Sequence, residues 1–109
     1  MEGDGLIDMI RTIALNQIGG DDEAQEWLDT NFNYPLVVGL LAAAMKKKWG
    51  VTDQWMKERF VFGDTPVEQV VLDLEEFTGE EGLAAEVGRL ANDLASTIAK
   101  RRSESLGQS

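Results

Sequence analysis

Apolar positions recur at helical spacing along most of this chain. Leu6, Ile7, Ile10, Ile13, Ala14 and Ile18 share one helix face, with Asp4 placed to cap its start and Gly19-Gly20 to stop it. Ala24, Trp27, Leu28 and Phe32 predict a short second helix, capped by Asp21 or Asp22 and ended by Asn31–Tyr34. Pro35–Trp49 predicts a third. Pro35 suits a first helical position, Lys46–Lys48 meet the negative end of the dipole, and Gly50 ends it. Leu36–Met45 carries no polar side chain, a pattern expected of a helix enclosed on all sides.

Thr52 or Asp53 caps a fourth helix, Gln54–Phe60, with Met56 and Phe60 one turn apart. Thr65 and Glu68 have capping-box spacing for a fifth, running to about Phe77 with Val67, Val70, Val71 and Leu74 inward and Gly79 ending it. Leu83, Val87, Leu90, Leu94 and Ile98, widened by Ala84, Ala91 and Ala95, predict a sixth from about Glu80 to Arg102. No segment alternates with period two. The expected fold is all-α: a compact single-domain bundle of five to six helices around a central apolar helix at about 35–49, with a long C-terminal helix. Residues 1–102 form that domain, and 103–109, small and polar, are expected to be a disordered tail.

The 109 residues carry a net charge of −10. Its distribution is uneven: −7 over residues 1–34, +3 over 35–60 and −6 over 61–109. A basic island sits between acidic arms. Net acidity disfavours general binding to nucleic acid or anionic membrane, and only the island departs from that. The longest apolar run is ten residues, half of the ~20 a membrane span needs. Glu2 and Asp4 stand where a signal peptide carries basic residues. Together these predict a soluble, cytoplasmic protein.

The chain contains no histidine and no cysteine. That removes the commonest general base, the Ser-His-Asp arrangement, disulfides and the usual zinc ligands. The acidic pairs Asp21-Asp22, Glu75-Glu76 and Glu80-Glu81 fall at helix ends or polar faces. Neighbouring helical side chains diverge by about 100°, so no pair converges on one bond as glycoside hydrolysis requires. Asp29-Thr30-Asn31-Phe32-Asn33 starts like a calcium loop, but Tyr34 replaces the required glycine and Leu40 the twelfth-position glutamate. The glycine pairs lack the spacing and lysine of a phosphate loop. No catalytic residue, metal ligand or cofactor site is expected.

Asp64-Thr65 leading to Leu74-Glu75-Glu76-Phe77 resembles the second helix of acyl carrier proteins over about fourteen residues. Thr65, followed by Pro66, stands where that family attaches phosphopantetheine to serine, so carrier function does not follow. Met45–Arg59, MKKKWGVTDQWMKER, resembles a helix-turn-helix. Met45, Trp49, Val51 and Met56 fall at its buried positions. Lys46 and Arg59 stand where a small and an apolar residue are usual.

Two functions are therefore expected, of unequal weight. The first is a non-enzymatic acidic helical protein that binds another protein or itself, a make-up shared by small accessory proteins of phages and other mobile elements. Leu90, Leu94 and Ile98 on the last helix are its candidate self-association stripe, for a homodimer. The alternative is DNA binding by residues 45–59. Lys46, Lys47, Lys48, Trp49, Thr52, Trp55, Lys57 and Arg59 are the candidate surface for a partner or DNA. A third class, acidic mimicry of nucleic acid, needs acids arrayed on one face.

Overall fold

The computed structural model describes residues 5–107. Six helices follow one another: α1 (Leu6–Gln17), α2 (Asp22–Asn31), α3 (Tyr34–Trp49), α4 (Asp53–Phe60), α5 (Val67–Thr78) and α6 (Ala84–Gly107). Among the described residues there is no strand, only an isolated bridge between Gly5 and Pro66. The architecture is the all-helical, six-helix bundle with a long last helix that the periodicity predicts.

The most extensive helix pair is α1 with α6. Leu6, Ile7, Ile10 and Ala14 face Val87, Ala91, Ala95 and Ile98 in one core, all at most 1% exposed. The alanines of α6 keep the two backbones close, so the larger α1 side chains fill the space between them. α2 packs on α1, α5 packs on α6, and α3 touches α1, α4 and α6. Twenty-four residues make α6 about 36 Å long, and the molecule extends 47 Å along its longest axis.

α3 is less enclosed than its composition suggests. It buries the single stripe Val37, Leu41 and Met45, while Leu36 is 46% exposed and Gly39 and Ala43 are open to solvent. The helices packed on it cover only part of its circumference. The uniform apolarity of 36–45 therefore exceeds what the bundle uses.

The caps correct several expectations. Asp21 Oδ1 accepts from the Ala24 amide at 2.8 Å, and Thr52 Oγ1 from the Trp55 amide at 3.0 Å, both as expected. Asn33 also caps α3, through the Leu36 amide, which places Pro35 second rather than first in the helix. The capping box at Thr65 does not form: Pro66 holds the N-cap of α5, and the Thr65 hydroxyl donates to the Arg59 carbonyl instead. Asp4, the expected cap of α1, lies outside the described residues. α1 is capped from elsewhere. Asp64 Oδ1 accepts from the Ile7 amide at 2.9 Å and Oδ2 from the Asp8 amide at 2.8 Å. α6 starts later than Glu80, with Glu75 Oε2 accepting from the Leu83 amide. It also continues past Arg102 through residues 103–107, a stretch expected to lie beyond the helix.

Candidate interaction surface

The basic island is divided between core, caps and ion pairs. Trp55 is only 7% exposed and Trp49 packs against the core. Thr52 is committed to its cap. Lys46 pairs with Asp53 at 2.7 Å and Lys48 with Glu86 at 2.9 Å. These lysines hold the Asp53 and Glu86 carboxyls below their ordinary range, by hydrogen bond first and then by charge. Lys47 and Lys57 are exposed.

Arg59 works inside the fold. Its Nε donates to Asp73 Oδ2 at 2.9 Å, and a terminal nitrogen donates to the Trp55 carbonyl at 3.1 Å. Its guanidinium lies 4.1 Å from the Trp55 ring centroid, a cation–π contact. One side chain thus ties α4 to α5. The eight residues share a stretch of sequence, but the structure does not bring them together as one exposed basic, aromatic face.

The α6 stripe is also used internally. Ile98 is wholly buried, and Leu90 and Leu94 are partly buried against the core. Pairing with a second copy through this stripe would compete with the packing of α6 in its own bundle.

Leu36, Leu72, Phe77 and Leu106 are exposed in part, and the most exposed large apolar side chain among the described residues lies in the loop after α4. Phe60 is wholly buried, whereas Phe62 is 93% exposed, beside exposed Val61. The loop is anchored on both sides of Phe62. Before it, the Tyr34 hydroxyl donates to the Phe60 carbonyl at 2.7 Å. After it, Asp64 caps α1, Thr65 bonds Arg59, and the Leu6 amide donates to the Thr65 carbonyl at 3.1 Å. Burial pushes the Asp64 carboxyl above its ordinary value, against the lowering effect of its two amide bonds. Burial, then the Asp64 charge, pushes the Tyr34 phenol up.

Two recesses border this loop, one at Val61 and one at Phe62. One, of about 270 Å³, is lined by Tyr34, Pro35, Val38, Phe60 and Val61. The other, of about 280 Å³, is lined by Glu58, Arg59, Gly63, Asp64 and Thr65 together with Phe62 itself. The first is walled mostly by carbon. The second carries two carboxylates and the one arginine that Asp73 already pairs.

In the sequence Phe62 falls in one cluster with Trp49, Trp55 and Phe60, a candidate stacking or partner-binding surface of which at least two members are expected in the core. Trp55 and Phe60 are buried, Trp49 packs against the core, and Phe62 alone of the four stays exposed. The available signal was its position: two residues past Phe60 and beyond the helix end, no periodicity draws it inward. Among the described residues, no group of three or more acidic side chains is placed to hold a metal ion. No helix there is long and apolar enough to cross a membrane. Comparison with protein-family models, curated proteins and solved structures finds no match.

Proposed function

We propose that this protein is a small acidic helical module that acts by binding another protein, without catalysing a reaction. The observation that carries the reading is Phe62. A loop held at Phe60, Asp64 and Thr65 presents a phenyl group that is 93% exposed. Fully burying such a side chain is worth about 1.5–3 kcal/mol, and a flexible loop would be free to fold it inward. Exposed aromatic anchors beside pockets characterise interaction hot spots.

The surface comprises Phe62, Val61 and the apolar recess at the start of α3, where Leu36 is also exposed. Photo-crosslinking from position 62 in the cells that make the protein tests this. One discrete protein adduct is expected from p-benzoylphenylalanine at 62 and none from the same group at exposed Thr12. Absence of any adduct from position 62 would overturn it.

DNA binding through 45–59 gains no support from a specific contact geometry. Arg59, Thr52 and Trp55 are occupied within the fold, and the exposed side of α4 carries Asp53 and Glu58 beside Lys57. A salt titration with duplex DNA and the Lys46–Lys48 alanine variant remains the direct test.

A further inference from the structure

Resting on Phe62 as a docking point, we infer that its occupant is a short segment of a partner protein in which a large apolar side chain stands beside an arginine or lysine. The two recesses differ in chemistry and meet consecutive residues of one loop, the first lined by Phe60 and Val61 and the second by Phe62 and Gly63. In the first, the one polar side-chain group is the Tyr34 hydroxyl, and it already donates to the Phe60 carbonyl. That recess accepts carbon.

The second recess accepts positive charge. Arg59 is neutralised by Asp73 at 2.9 Å and donates to the Trp55 carbonyl. Thr65 donates its hydroxyl to the Arg59 carbonyl. Asp64 uses both oxygens on backbone amides, and among the described residues no cation pairs with its charge. Glu58 is 58% exposed, and its contacts to Gln54 and Arg59 are long, at 3.4 and 3.5 Å. A guanidinium or ammonium there meets the Glu58 carboxylate and the face of Phe62, an electrostatic and a cation–π contact together. Lys57, one turn before Val61, is the neighbouring cation on α4, so the partner's charge belongs on the Glu58 side. The net charge of −10 adds a long-range attraction for a basic segment. It opposes a second copy of this chain as the occupant.

Amide-shift mapping on the ¹⁵N-labelled full chain tests the inference. Three capped six-residue peptides are compared: a Leu-Phe core flanked by arginines, by glutamines or by glutamates. The arginine peptide should shift the amides of Tyr34–Val38 and Glu58–Thr65, excepting Pro35. It should bind about tenfold more tightly than the glutamine peptide at low salt, with the gap narrowing near 0.15 M salt. Glu58→Gln should weaken the arginine peptide about threefold and leave the glutamine peptide unchanged. Phe62→Ser should abolish both.

Equal binding of the arginine and glutamine peptides, or preference for glutamate, would overturn the inference and leave the docking surface standing. Shifts that follow protein concentration alone would overturn it in favour of a second copy. If no peptide moves these amides, the inference falls, and crosslinking from position 62 decides the broader reading separately.

Discussion

Asp64 caps the helix that begins at Leu6 by accepting the Ile7 amide at 2.9 Å, across a sequence separation of 57 residues. Its second oxygen takes the Asp8 amide. A single carboxylate thereby satisfies two of the amides a helix start leaves unpaired, and fixes the end of the Phe62 loop against α1. A Cβ at Gly5 would overlap that carboxylate.

Asp64→Ala is expected to destabilise the protein by about 1–2 kcal/mol, from loss of a cap with two part-buried bonds. Gly5→Ala should cost a comparable amount by displacing the carboxylate, although the φ of −69° at Gly5 suits alanine. Denaturant midpoints check both. A neutral Gly5→Ala would show that Asp64 re-seats freely.

The pH dependence of the Asp64 site has a definite sign. Its folded pKa lies above the ordinary value of 3.8, chiefly through burial. The unfolded chain therefore releases this proton first as pH rises, and ionisation weighs against the fold between the two pKa values. The stability of the wild type relative to Asp64→Asn should thus be greatest at acid pH and fall as pH rises through the folded pKa. The opposite slope, measured by denaturation at several pH values, would show that the amide bonds outweigh burial. Asp53 and Glu86 act in the reverse sense: their lysine pairs contribute above the ordinary carboxylate pKa and are lost as pH falls through the lowered values.

Arg59→Ala should lower stability by about 1–3 kcal/mol, because Asp73 and the Trp55 carbonyl lose their donor. Arg59→Lys should restore only part of it, since an ammonium cannot reproduce the planar fork or the stacking on Trp55. Thermal and denaturant unfolding read this out. An unchanged midpoint in Arg59→Ala would release Arg59 for a surface role.

Phe60 and Phe62 are two residues apart and should respond oppositely. Phe60→Ala opens a cavity in the core and should cost about 3–5 kcal/mol. Phe62→Ser should change stability by no more than about 0.5 kcal/mol, while removing binding at the loop. A large loss of stability in Phe62→Ser would mean that the ring is part of the fold.

Helix identity was legible in the sequence because it is a local property. The spacing of Ile7, Ile10 and Ala14, or of Val87, Ala91 and Ile98, marks a buried face before any neighbour is known. Asp21, Thr52 and Gly50 announced their ends for the same reason: each acts within one turn, and Gly50 takes the left-handed φ of +73° that terminates α3. Which carboxylate caps α1, which side of α3 stays open, and whether Arg59 faces solvent or Asp73 were decided only by the tertiary structure. These depend on segments brought together by loop closure, and charge or hydropathy along the chain does not specify the closing partner. Phe60 and Phe62 show the division. The same side chain is core at the last helical position and surface two residues later, because α4 ends at Phe60 and Asp64 is held on a helix 57 residues away.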